Sequence, residues 1–318
     1  MENFMPSDSD RLFDDPGVTT RLMLDVGDGH CINVEVSGHG PNYVISCHGG
    51  PGGQIDPFVR RLANPDDVTL VQFDQRGCGL STPRGETKSN TLPHTLEDME
   101  TIRKALGIDK WVVTGGSWGA TVALAYAQSY HEHVVGVIVR GAFLSDPEGF
   151  EWFDFTVRQI FPDVFEEFAQ ATGAGPSASV YDTVEAIFQK GDRANMERAA
   201  LALTLYEEKS ASFNPPDNLP EFDASLCVDG IKIALHYRSN NGFLSPKGVL
   251  LNIDRIANLP GIIVHGRYDI VCPVGNAHRL HAVWPGSKLI LCDQSGHLTS
   301  EPLITAAMVR SLEALCTL

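Results

Sequence analysis

Short apolar runs punctuate the chain at 43–47, 69–73, 111–114 and 134–139, and again at 261–264 and 288–291. Runs this short, set between turn residues, predict strands buried on both faces. Ahead of them, 21–25 and 31–36 predict two strands joined through the turn Gly27-Asp28-Gly29. A helix is predicted between the second and third runs. It opens with Thr95-Leu96-Glu97-Asp98, read as a capping box in which Asp98 replaces the usual Glu, and it closes at Gly107. Residues 120–128 are helical in composition, and a last helix is predicted over 306–315. Short strands alternating with helices predict an α/β fold, a mostly parallel sheet covered on both faces.

The middle of the chain follows another period. From about 143 to 242 the apolar residues are largely aromatic and spaced as in helices, including Trp152, Phe153, Phe155, Ile160, Phe161, Phe165 and Phe168. Loop-like breaks fall at 173–179 and 214–220. The expected organisation is a sheet core in two parts, 1–142 and 246–318, with a helical lid inserted at 143–245. This accounts for a chain of 318 residues, long for one ordinary domain.

Composition adds mainly exclusions. A 43% apolar and 20% charged chain can build a packed core. Its net charge of −16, from 24 basic and 40 acidic residues, lacks the basic balance of a nucleic-acid partner. The seven cysteines are odd in number and never in C-x-x-C spacing, which argues against a disulfide framework or a zinc cluster. The 11 histidines include no H-E-x-x-H, so neither metal nor cofactor is expected. Residues 1–15 lack the basic start and apolar run of a signal peptide, and no stretch reaches membrane-spanning length. A cytoplasmic setting and no membrane partner are the expectations.

The chemistry begins where the run 111–114 enters Gly115-Gly116-Ser117-Trp118-Gly119 and then a helix. This is G-x-S-x-G in the strand–turn–helix context that makes it a nucleophile elbow. Side chains at Gly115 or Gly119 would collide with the neighbouring strand and helix. The Ser117 hydroxyl would stand at a helix N-terminus, where developing negative charge is favoured. A hydroxyl needs a base, and the base needs an orienting carboxylate. In the expected order Ser, acid, His, the partners are Asp269, in the loop after 261–264, and His297, after 288–291. A loop histidine or a turn aspartate is ordinary alone; three matches in order and context are not. His265 and Asp293 are the rival base and acid. His48-Gly49-Gly50-Pro51-Gly52-Gly53, after the first run, offers the Gly50 N–H to pair with the Trp118 N–H as an oxyanion hole. A phosphate loop is the competing reading, and it lacks both G-x-x-x-x-G-K-[ST] and a G-x-G-x-x-G that opens a helix.

HGGPGG at 48–53, DQRGCGLS at 74–81, GGSWG at 115–119, VHGRYDIVCP at 264–273 and SGH at 295–297 together resemble the proline iminopeptidases. The resemblance spans nearly the whole chain. It implies release of an N-terminal proline from peptides through an acyl-enzyme at Ser117. It supports Asp269 and His297 as triad members and implies a structural role for Asp74 and Arg76. It also implies substrate-binding residues in the lid. The family's Trp-Glu pair corresponds to Tyr206-Glu207, and its second Glu, shortly before a His-Tyr pair, is missing around Ala234-Leu235 ahead of His236-Tyr237. Glu208, Asp154 or Glu151 could compensate, and Trp152 lies in a lid stretch that also matches.

Three functions follow. The leading one is a serine hydrolase acting as a proline iminopeptidase-like aminopeptidase on a small-molecule or short-peptide substrate. The second keeps the chemistry for an ester, amide, thioester or acyl-transfer substrate. The third is a binding protein of the same fold without turnover.

Overall fold

Successive residues of each apolar run enter opposite cores. Val44, Val112, Ile138 and Ile262 pack on one side of a sheet, and Ile45, Val113, Val137 and Ile263 on the other. This is strand periodicity, and a sheet apolar on both faces must be covered twice. The computed structural model describes residues 2–3, 11–214 and 219–317. The N-terminal residues 1 and 4–10, and 215–218 within the second lid break, lie outside the described residues.

The strands are β1 (Glu2–Asn3), β2 (Thr20–Asp25), β3 (Cys31–Gly38), β4 (Asn42–Cys47), β5 (Val68–Phe73), β6 (Trp111–Gly116), β7 (Val134–Arg140), β8 (Gly261–Gly266) and β9 (Ser287–Cys292). They form one sheet in the order β1-β9-β8-β7-β6-β4-β5-β3-β2. Only β3 runs antiparallel to its neighbours β2 and β5. The helices are α1 (Leu92–Ala105), α2 (Trp118–Ser129), α3 (Pro147–Glu151), α4 (Val157–Ile160), α5 (Pro162–Thr172), α6 (Val180–Lys190), α7 (Arg193–Ala211), α8 (Ala224–Ser239), α9 (Gly275–Val283) and α10 (Pro302–Cys316). Helices α1, α2 and α9 cover one face, and α10 with the helical turn Pro57–Leu62 covers the other. No helix among the described residues is long and apolar enough to cross a membrane.

Helix α1 starts one turn earlier than its sequence suggests. Pro93 sits in the first turn, where its missing N–H needs no partner. Thr95-x-x-Asp98 is therefore helix interior, not a capping box. Asp98 instead accepts from Nε and Nη2 of Arg76, both at 2.8 Å. This buried pair ties the loop after β5 to α1. Asp74 closes the same loop by accepting from the Ile55 N–H at 2.7 Å and the Leu80 N–H at 2.9 Å.

Helices α3 to α8 lie between β7 and β8 in sequence, and α4 to α8 share a core of their own with Phe153, including Phe165, Phe168, Val184, Leu203 and Val228. The polar break before each of several helices supplies its N-cap. Ser179, Asp192 and Asp223 accept from backbone N–H groups of α6, α7 and α8. A π-helical turn, Trp152–Thr156, links α3 to α4 and shifts the helical phase. Phe155 and Ile160, expected in the aromatic stripe, are exposed.

Candidate active site

The chain leaves β4 for β5 on one side, while β6 lies on the other. At such a switch point the loops after the two neighbouring strands diverge and leave a crevice at the strand C-termini. Here those loops are 48–53 and the Ser117 turn.

Ser117 has φ 58° and ψ −126°, a backbone conformation that costs about 1–3 kcal/mol for a residue with a Cβ. The surroundings hold it there. Its N–H donates to the Arg140 carbonyl at 3.0 Å, and its carbonyl accepts from the Ala120 N–H at 2.9 Å. A Cβ on Gly115 would come 2.1 Å from the Gly119 carbonyl oxygen, and one on Gly119 would come 2.1 Å from that of Cys47. The two glycines let β6, α2 and β4 close around the serine at the N-terminus of α2.

His297 Nδ1–H donates to Asp269 Oδ2 at 2.8 Å. The other Asp269 oxygen accepts from the Cys272 N–H at 2.8 Å. Burial works to raise the Asp269 carboxyl, but His297, His265 and that N–H outweigh it, and the group lies below the ordinary Asp range. His297 is fixed from behind: its N–H donates to the Ala211 carbonyl at 2.7 Å, and its carbonyl accepts from Arg140 Nη1. Gly141, at φ 53°, gives the ring its space, since a Cβ there would lie 2.9 Å from His297 Nδ1. Of the rivals, His265 lies behind Asp269, its Nε2 3.5 Å from Asp269 Oδ2, and Asp293 lies away from this pair. His265 is fully buried, with Nε2 donating to the Cys272 carbonyl at 2.8 Å and Nδ1 accepting from the Ala142 N–H at 3.2 Å. Burial lowers its pKa and keeps it neutral. Asp293 faces Arg267 at 3.5 Å.

Among the described residues, neither the Gly50 N–H nor the Trp118 N–H has a protein acceptor. Gln75 joins the two loops that carry them: its Oε1 accepts from the Trp118 indole at 3.0 Å, and its Nε2 donates to the His48 carbonyl at 2.9 Å. Gly50, Ser117 and Trp118 line one cavity, walled by Phe143, Phe150, Phe153, Tyr181 and Tyr237 under the lid.

The lid residues distribute differently from expectation. Tyr206 is only 1% exposed and packs against Phe153, Phe165 and Phe168 in the lid core, away from the cavity. Trp152 donates its indole N–H to the Ile270 carbonyl at 2.7 Å and so ties the lid to the Asp269 loop. Glu207 stands behind the cavity wall, accepting from the Tyr181 hydroxyl at 2.7 Å. Burial lifts Glu207 to about 7, partly opposed by that hydrogen bond. Burial also raises Glu208, against the opposing charge of His297. Asp154 is buried in pairing with Arg238, and Ala234 lines the cavity. Sequence reading passed over three residues: Gln75, Arg238 and Cys272. The Cys272 thiol lies at the Ser117 hydroxyl, and burial holds it far above the ordinary thiol range, so it stays protonated. No group of three or more His, Cys, Asp or Glu among the described residues is placed to hold a metal ion.

The fold and this constellation define an α/β hydrolase, and residues 42–301 match the α/β-hydrolase fold family. Solved structures agree on the fold: a meta-cleavage product hydrolase from Pseudomonas fluorescens IP01 (TM-score 0.58, 19% identity, covering 94% of this chain and 98% of that one) and a thermophilic esterase from Thermogutta terrifontis (TM-score 0.58, 19% identity, 93% and 99%). The chain is 38% identical over 300 residues to the proline iminopeptidase of Xylella fastidiosa strain Temecula1, covering 90% of this chain and 93% of the relative. It is 35% identical over 294 residues to that of Neisseria gonorrhoeae, covering 91% and 94%. The chain belongs to the proline iminopeptidase family within the α/β hydrolases.

Proposed function

We propose that this chain is a serine hydrolase that releases N-terminal proline from short peptides, with Ser117 as nucleophile, His297 as base and Asp269 as orienting acid. The observation that carries the reading is the buried 2.8 Å Asp269–His297 hydrogen bond, in a chain whose Ser117 has elbow geometry. Ser117 Oγ attacks the carbonyl of the first residue as His297 Nε2 takes its proton. Asp269 keeps Nδ1 protonated and stabilises the imidazolium. The oxyanion takes the Gly50 and Trp118 N–H groups, which cost no reorganisation because nothing else holds them. His297 then protonates the leaving amine, and water releases the prolyl group by the reverse sequence.

In this reading 1–142 and 246–318 carry the chemistry, and the lid, 143–245, selects the substrate. Glu207 takes the terminal imino group, whose positive charge would draw the raised carboxyl back to its ionised form. Glu208 adds negative charge on the His297 side, and Trp152 holds the lid to the Asp269 loop. Seven free cysteines suit a reducing, cytoplasmic setting. The test compares Pro-β-naphthylamide with its N-acetyl form and with a p-nitrophenyl ester. Selective cleavage of the free imino compound supports the reading. Equal rates on free and blocked amines would replace it with an esterase or general amidase.

A further inference from the structure

Arg238 is the only charged residue lining the Ser117 cavity among the described residues. It follows Ala234 by one helical turn on α8, so the two share a face, and the small Ala234 leaves the space beside the guanidinium open. Behind the wall, Arg238 Nη2 donates to Asp154. Asp154 is 1% exposed, and its other oxygen already accepts from the Ser179 hydroxyl at 2.9 Å and the Tyr181 N–H at 3.1 Å. The guanidinium lies over the rings of Phe150 and Tyr181, 5.2 and 4.9 Å from their centroids. Its Nε and Nη1 have no acceptor among the described residues. Arg238 also borders an outer groove that carries Glu151, Asp182 and Glu185, so the carboxylate it takes is one inside the Ser117 cavity, not one in that acidic groove.

A guanidinium clamped between two rings, with donors left over, is a preorganised fork for a carboxylate. Burial lowers its pKa only to about 10, so it remains a cation at neutral pH. The aromatic walls reduce solvent screening around it. We propose that Arg238 binds a carboxylate on the substrate and makes the enzyme prefer substrates that carry one. This rests on hydrolysis at Ser117 as described above and adds a second recognition element. Tyr181 separates the two: its hydroxyl reaches Glu207 while its ring lies under Arg238. A substrate bearing both a free amine and a carboxylate satisfies both ends. The carboxylate has two sources, the C-terminus of a dipeptide or the side chain of an acidic first residue.

The experiment measures kcat/KM for two matched pairs: Pro-Gly against Pro-Gly-amide, and Glu-β-naphthylamide against Gln-β-naphthylamide. Wild type is expected to favour the anionic member of one pair by about tenfold or more, chiefly through KM. The first pair identifies a dipeptide terminus and the second an acidic side chain. An Asp154→Asn/Arg238→Met double variant, which leaves no orphaned buried charge, should bring that ratio close to one; its folding is checked by circular dichroism. Arg238→Lys, which keeps the charge and loses the fork, should lower the ratio severalfold and serves if the double variant does not fold. No preference in either wild-type pair, or an undiminished ratio in these variants, overturns the proposal. Pro-β-naphthylamide carries no carboxylate, so its turnover by wild type reports the underlying hydrolase reading separately.

Discussion

The Trp118 indole N–H donates to Gln75 Oε1 at 3.0 Å, and the other end of the same amide donates to the His48 carbonyl at 2.9 Å. One side chain thus holds the nucleophile elbow and the glycine loop at a fixed separation. Those two segments carry the two proposed oxyanion donors, so Gln75 is a positioning residue. Gln75→Ala should lower kcat by about 10–100-fold, less than the loss of a donor itself, while KM changes little. Leaving the buried indole N–H unpaired should cost about 1–3 kcal/mol of stability. Steady-state kinetics beside urea unfolding check both. A rise in KM at constant kcat would place Gln75 in substrate binding instead.

Asp269→Asn keeps the size of the side chain but can hold the wrong imidazole tautomer. The expected loss is about 10⁴-fold in kcat with substrate binding largely retained. A kinetic comparison with His265→Gln distinguishes the two histidines. The Asp269 and His297 variants should lose the chemical step, while His265→Gln, which removes only a neighbour 3.5 Å from Asp269 Oδ2 whose nitrogens bond Cys272 and Ala142, should cost far less in kcat.

The Arg76–Asp98 pair should behave as a buried structural ion pair, with both side chains about 2% exposed. Removing either partner alone, in Arg76→Met or Asp98→Leu, should destabilise the fold by about 3–5 kcal/mol, because the other charge is left buried. The double variant should regain most of that loss. Urea denaturation of the four proteins gives the cycle, and additive losses would contradict the pairing.

Glu207 predicts a pH dependence. Its carboxyl lies at about 7 in the folded chain, against an ordinary value of 4.5. Between these values the folded state binds more protons than the unfolded state, so stability falls as pH rises through the window, by about 3 kcal/mol. Above pH 7 the full cost is present. Glu207→Gln should therefore raise the melting temperature at pH 8 and leave it nearly unchanged at pH 4. Tyr181 and Glu208 face the same group, and the Tyr181 hydroxyl stays protonated throughout this range. Equal melting shifts at both pH values would show that folding leaves the Glu207 carboxyl unperturbed.

The core strands were legible because each apolar run feeds two cores, and the elbow was legible because its glycines are forced by contacts with Cys47 and Gly119. The lid was harder to read. Tyr206 sits beside Glu207 in sequence, yet helix rotation sends it into the lid core while Glu207 meets Tyr181. The start of α1 was misjudged because Asp98 has the chemistry of a cap and the tertiary position of an ion-pair partner. Gln75 and Cys272 lie inside recognisable motifs and Arg238 directly follows His236-Tyr237, but their roles depend on what stands across the cleft, which spacing along the chain does not record.

The acyl-enzyme is the centre of this account. Acid-quenching wild type during turnover of Pro-β-naphthylamide, followed by peptide mass spectrometry, should find a prolyl adduct on the peptide carrying Ser117. Ser117→Ala should show neither adduct nor turnover while keeping the wild-type circular dichroism spectrum. Sustained turnover by Ser117→Ala, or a prolyl adduct on another residue, would contradict the assignment.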